Sequence, residues 1–183
     1  MSLVIGYTDG KNAIIMSDGR AGGTYAPSEN YDKTIKINDN IIMGFVGNAA
    51  FTKPFLDEMI IQFGNELKDC TIEDIQDFFE FQFTEQLIAK NPASTFLIMA
   101  KTENTVKVAI FGVDTGYKFK FIKGPIPLYV HIGGCFVDKI IANANETLLL
   151  TSNNPPAEQM HELIIKCSSF DNSINTNVFI KTI

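Results

Sequence analysis

Apolar positions cluster in short runs at both ends of the chain and fall at helical spacing between them. Leu3–Tyr7 is one such run. The polar turn Thr8-Asp9-Gly10-Lys11-Asn12 follows, and Ala13-Ile14-Ile15-Met16-Ser17 is a second run that ends in Asp18-Gly19-Arg20. The loop Ala21–Asn30 is rich in Gly, Pro and Ser. Lys33-Thr34-Ile35-Lys36-Ile37 alternates with period two, as a half-buried strand does. Asn38-Asp39-Asn40 reads as a turn, and Ile41–Val46 is apolar throughout, as expected of a strand covered on both faces.

The period then changes. Ala49–Lys68 carries Phe55, Met59 and Phe63 at i, i+4 spacing, with Leu56 and Ile60 beside them, which predicts an amphipathic helix. Thr71 is a good N-cap, with Asp74 three residues on and Glu73 in the positive first turn. The helix it starts is expected to run to about Lys90, where Asn91-Pro92 stops it. Phe78, Phe79, Phe81 and Phe83 follow too closely to share one helical face, so this helix is expected to be buried on more than one side.

Thr95–Lys101, Val106–Val113, Tyr117–Ile122 and Leu128–Ile132 read as a second β block, broken at Glu103-Asn104, Asp114-Thr115-Gly116 and the pair Pro125 and Pro127. Gly133-Gly134-Cys135 opens a helix expected to reach about Leu150. Asn153-Asn154-Pro155-Pro156 separates it from a helix over Ala157–Cys167, and Asn177–Ile183 closes the chain as a strand. Runs of strands segregated from runs of helices point to an α+β fold. The expectation is one domain over residues 1–183: a four-layer αββα sandwich, with two antiparallel sheets flanked by helix pairs.

Composition narrows the function. The 183 residues suit one domain with a real core. A net charge of −6 argues against nucleic-acid or anionic-membrane binding. Apolar runs such as Thr95–Ala100 are too short to span a bilayer. Asp9, Lys11 and Asp18 interrupt any signal-like apolar stretch, so a cytoplasmic location is expected. The three cysteines, Cys70, Cys135 and Cys167, are scattered and read as reduced thiols. Cys135 and His131 fit packed core positions, and His161 fits a solvated one. Two histidines cannot supply an HExxH zinc site, and no GxxxxGK[ST] phosphate loop occurs.

Specific chemistry enters with the N-terminal segment. The apolar first strand leads into Asp18-Gly19-Arg20-Ala21-Gly22-Gly23, then Asp32-Lys33, then Gly44-Phe45-Val46-Gly47-Asn48-Ala49-Ala50. This pattern resembles the N-terminal-nucleophile hydrolases of the proteasome β-subunit and HslV type. Asp-Gly at 18–19 matches the HslV variant, and Asp171-Asn172-Ser173-Ile174-Asn175-Thr176-Asn177 is similar to that variant's entry into its last strand. The likeness spans the chain in element order. It is densest over residues 2–50 and thinnest in the middle helices.

The resemblance implies a peptidase of threonine/serine type. The hydroxyl of the first residue attacks a peptide carbonyl, and that residue's own α-amine is the base. Ser2 falls at the nucleophile position, Asp18 and Lys33 at the carboxylate and ammonium that flank it, and Gly47 at the backbone donor to the oxyanion. Asp171 matches the late carboxylate. Arg20, Ala21, Asn48 and Ala49 fall where substrate is bound. No cofactor is required. A monovalent cation such as Na⁺ is implied on the carbonyls of Phe170, Ser173 and Thr176, the alternative being an ordinary loop. The implied substrate is unfolded polypeptide, and the implied partners are further copies in a ring and an ATP-dependent unfoldase. On this reading Lys33→Ala abolishes hydrolysis with the fold intact, and Gly47→Val blocks the cleft.

Bland readings stand beside these. Ser2 also fits an ordinary terminal residue or a cloning leader, and its amine is free only once Met1 is removed. Asp18 also fits a turn carboxylate, Lys33 a solvated cation and Gly47 a close backbone approach. Gly134 replaces a serine that family members usually carry, and Ile174 stands where proteasomes, unlike HslV, have a second one. Two alternatives follow: a non-catalytic proteasome-like structural or assembly subunit, and a small-molecule amidohydrolase of the wider superfamily.

Overall fold

The two opening runs form an antiparallel hairpin, Leu3–Thr8 (β1) and Ala13–Asp18 (β2). Its turn is closed by Asp9, whose Oδ1 accepts from the amides of Lys11 and Asn12 at 2.8 and 2.7 Å. The computed structural model describes residues 2–22, 28–83, 93–133 and 153–183. Within these, the other strands are Thr34–Lys36 (β3), Ile41–Gly47 (β4), Ser94–Lys101 (β5), Val106–Gly112 (β6), Lys120–Ile122 (β7), Leu128–Gly133 (β8) and Val178–Thr182 (β9). The helices are Ala49–Phe63 (α1), Ile72–Gln82 (α2) and Pro156–Phe170 (α3).

Every strand pair is antiparallel, in a four-stranded sheet ordered β8-β1-β2-β9 and a five-stranded sheet ordered β3-β4-β5-β6-β7. The sheets stack face to face. Val4, Ala13 and Ile15 from one meet Ile42, Val46, Leu97 and Met99 from the other. Close approach depends on missing side chains: a Cβ on Gly44 would lie 2.6 Å from Val4 Cγ1, and one on Gly6 2.9 Å from Leu97 Cδ2.

Alternation along the strands sends the remaining apolar residues outward, where helices cover them. Ile5 and Met16 pack against Met160, Leu163, Ile164 and Cys167, the i, i+3, i+4, i+7 stripe of α3. Met43, Phe45, Phe96 and Phe111 pack under α1 and α2. There Phe79 sits among Phe55, Phe83, Phe96, Phe111 and Phe119, with ring centroids 4.9–6.0 Å away and mostly edge to face. The αββα layering is thus present, with α1 and α2 on one outer face and α3 on the other. The rest of the helix predicted to reach Lys90 and the helix over 135–150 lie outside the described residues.

Several boundaries differ from the sequence pattern. The helix predicted to reach Lys68 ends at Phe63, because Gly64 takes φ +50 and the chain tightens into a 3-10 turn over Gly64–Asp69. The strand predicted from Lys33 starts at Thr34, since Asp32 Oδ1 draws in the Thr34 amide at 2.8 Å. The strand predicted from Tyr117 starts at Lys120, because Gly116 and Tyr117 both have positive φ. The helix predicted over Ala157–Cys167 runs from Pro156 to Phe170, with proline at its first position. Thr71 caps as expected: its side chain accepts from the Asp74 amide while Asp74 accepts from the Thr71 amide. Phe79 and Phe83 are buried, whereas Phe81 is 78% exposed. His161 is half-buried rather than solvated, and His131 on β8 is half-buried rather than fully packed.

Candidate active site

β1 starts beside the end of antiparallel β2, so continuing their register places Asp18 opposite Leu3. Asp18 is fully buried, and hydrogen-bond donors hold its carboxyl group in one orientation. Its Oδ1 accepts from the Leu3 amide at 2.8 Å and from Lys33 Nζ at 2.6 Å, and its Oδ2 accepts from the Arg20 amide at 2.9 Å. Lys33 also donates to the Asp18 carbonyl at 2.9 Å. The lysine is delivered from the residue just before β3, where its carbonyl accepts from the Phe45 amide of β4. Burial lowers the Lys33 pKa, and the Asp18 charge and hydrogen bond oppose that shift. Each member of this buried pair makes further hydrogen bonds, which offset part of its desolvation.

Ser2 lies at the mouth of this pair. Its hydroxyl donates to the Arg20 carbonyl at 3.5 Å. Ser2, Ala21, Gly22, Lys33, Gly47 and Ala49 line one small cavity of about 20 Å³. Gly47 has φ +109, and a Cβ there would lie 2.0 Å from the Ala93 carbonyl oxygen, so the position admits glycine alone. The strand register aims its amide. The Phe45 amide points to β3 and the Asn48 amide to Ala93 beside β5, so alternation turns the Gly47 N–H to the Lys33 side. Gly133 serves the same corner: a Cβ there would lie 2.1 Å from the Ser2 carbonyl oxygen.

The other sequence-derived candidates fall as follows. Asn48 is exposed at the start of α1, and its side chain makes no capping bond. The Arg20 guanidinium turns toward Glu29, to which Nε donates at 2.9 and 3.1 Å, and toward the Asn172 carbonyl. Asp171 Oδ1 accepts from the Ser173 amide and hydroxyl, which holds its pKa below the usual carboxylate range. Its Oδ2 is buried with no hydrogen-bond partner among the described residues. Phe170 ends α3, and Ser173 and Thr176 lie on the segment between α3 and β9. Peptide oxygens are donors of the kind a hard cation accepts. Among the described residues, no group of His, Cys, Asp and Glu could hold a metal ion. Gly134 and Cys135 lie outside the described residues. Cys70 and Cys167 are buried free thiols, both pushed up to about 11 by burial, and so are poor nucleophiles.

Sequence reasoning missed Glu29 and Asn175. Asn175 Oδ1 accepts from the Gly19 amide at 2.8 Å, and its Nδ2 donates to the Glu29 carbonyl and carboxylate, each at 2.8 Å. No spacing rule marks a partner 156 residues away.

No family model matches the sequence, and no curated protein matches it at a significant level. Among solved structures the chain is similar to eukaryotic HslV from Trypanosoma brucei, with a TM-score of 0.69 and coverage of 98% of each chain. The chain has the HslV fold. Sequence identity is 15%, so the likeness establishes architecture and leaves the chemistry to the residues. No helix among the described residues is long and apolar enough to cross a membrane.

Proposed function

We propose that this HslV-like chain is an N-terminal-nucleophile peptidase subunit that cleaves peptide bonds of unfolded polypeptides. The observation that carries the reading is the buried Asp18–Lys33 pair, 2.6 Å apart, whose lysine lines a cleft with Ser2 and Gly47. Removal of Met1 frees the Ser2 α-amine. An α-amine titrates near ~8, and an adjacent ammonium lowers that by like-charge repulsion. The neutral amine takes the Ser2 hydroxyl proton as Oγ attacks the substrate carbonyl. The oxyanion that forms accepts from the Gly47 N–H. Collapse passes the proton to the departing amine and leaves an ester on Ser2. Water, deprotonated by the same α-amine, then attacks the ester, releasing the acid and restoring the hydroxyl.

Lys33 raises the proportion of neutral amine and supplies positive potential, and Asp18 keeps it charged and aimed. Asp171, whose buried Oδ2 has no hydrogen-bond partner among the described residues, would supply a second carboxylate. Ala21, Gly47 and Ala49 line the cleft where substrate would be held, with Asn48 beside them. A monovalent cation on the Phe170, Ser173 and Thr176 carbonyls would stiffen the turn without entering the chemistry. By likeness to HslV the subunits would form a ring, with sites facing an inner chamber fed by an ATP-dependent unfoldase, in the cytoplasm.

The test is hydrolysis of casein and short fluorogenic peptides by Met1-free protein. Activity is expected to rise with pH as the amine loses its proton, with a midpoint below ~8. Absence of cleavage at every pH would favour a structural subunit. Cleavage of small amides alone would favour an amidohydrolase.

A further inference from the structure

The Arg20 guanidinium is not spent on the cleft. We infer that Glu29 is a positioning residue for the Ser2 site, holding the Arg20 backbone that contacts both the Asp18 carboxylate and the Ser2 hydroxyl. The inference rests on the peptidase reading above.

Two backbone atoms of Arg20 meet the site: its amide donates to Asp18 Oδ2 at 2.9 Å, and its carbonyl accepts the Ser2 hydroxyl at 3.5 Å. Arg20 lies just beyond the end of β2, so the sheet ladder does not fix it. Its side chain does. Nε and Nη2 both donate to the Glu29 carboxylate at 2.9–3.1 Å, a fork-to-fork pair that fixes direction as well as distance. The remaining nitrogen, Nη1, donates to the Asn172 carbonyl.

Glu29 is itself held from behind. Asn175 donates to its carboxylate and its carbonyl at 2.8 Å each, and Asn177 donates to the same carbonyl at 2.9 Å. Asn175 also accepts from the Gly19 amide. One carboxylate therefore ties together the end of β2, the segment after the glycine-rich loop and the turn that carries Asp171. The Glu29 side chain is 50% exposed, and an exposed ion pair adds little to stability. Geometry is the larger effect: a displacement of ~1 Å at a reacting centre can cost about 10²-fold in rate.

The experiment compares Met1-free wild type, Glu29→Gln, Arg20→Gln and the double variant. Glu29→Gln is expected to lower kcat about tenfold or more, with KM and the shape of the pH profile unchanged. The double variant should be no slower than the slower single one, because both remove one contact. Amide hydrogen exchange supplies a readout independent of catalysis, with Arg20 exchanging faster in Glu29→Gln while β-core amides do not change. If no chain hydrolyses peptides, faster Arg20 exchange still supports the latch, and the peptidase reading fails alone. An active Glu29→Gln with wild-type kcat and wild-type Arg20 exchange overturns the latch and leaves the peptidase reading standing. A fall in core protection equal to that at Arg20 also overturns it, since Glu29 would then act on the whole fold.

Discussion

On the peptidase reading, Lys33→Ala is expected to lose hydrolysis and about 3–5 kcal/mol of stability with it. The sequence pattern alone suggests the fold stays intact, but the structure says otherwise. Lys33 is 2% exposed and Asp18 is fully buried, so removing the ammonium strands a carboxylate away from water. The amides of Leu3 and Arg20 still hold that carboxylate, which keeps the penalty from growing further. Denaturant unfolding should show the midpoint falling with little change in slope. The variant Lys33→Met with Asp18→Asn separates the two effects. It removes both charges and is expected to recover about half of the lost stability while remaining inactive. A Lys33→Ala chain as stable as wild type would mean that the pair is not buried as described. A stable double variant that cleaves normally would remove both residues from the mechanism.

Gly47→Val should be inactive, and at least about 2 kcal/mol less stable. A cleft-blocking role accounts for the first loss only. The second arises because the new Cβ meets the Ala93 carbonyl oxygen at 2.0 Å and the Ser94 Cα at 2.9 Å, at a φ of +109 that valine avoids. To fit, β4 must pull away from β5 at the end that carries the site, and the Gly47 amide moves with it. At roughly 2–4 °C per kcal/mol for a chain of this size, thermal unfolding should drop by several degrees. Gly22→Ala is the matched control. Gly22 lines the same cleft, yet nothing lies within 4 Å of a Cβ there, so its unfolding temperature should equal that of wild type. Equal stability of Gly47→Val and Gly22→Ala would contradict the described close approach.

How far the sequence reaches depends on the range of the interaction. The β1–β2 hairpin and the Thr71 cap are local, and the pattern shows both. The end of α1 is also local but is masked: Leu67 continues the apolar spacing past Gly64, so periodicity alone overruns the break. Sheet assignment is not local. Leu128–Gly133 reads as one more strand of the second block, yet it pairs with β1 in the other sheet. In the site, Asp18, Lys33 and Gly47 are legible through resemblance, since their order along the chain is the family's. Arg20 shows the limit. Its place in the pattern suggested substrate contact, but its guanidinium is committed to Glu29 and Asn172, across a loop and across the length of the chain.

The central claim is that Ser2, once its amine is free, carries a hydroxyl activated by its own amino group beside the Asp18–Lys33 pair. The most direct measurement is reaction of Met1-free protein with a β-lactone, followed by mass mapping of the N-terminal peptide. The account predicts one adduct, an ester on Ser2 Oγ, absent in Ser2→Ala and absent while Met1 is retained. An adduct elsewhere, or none on a folded chain with an exposed Ser2 amine, would contradict it.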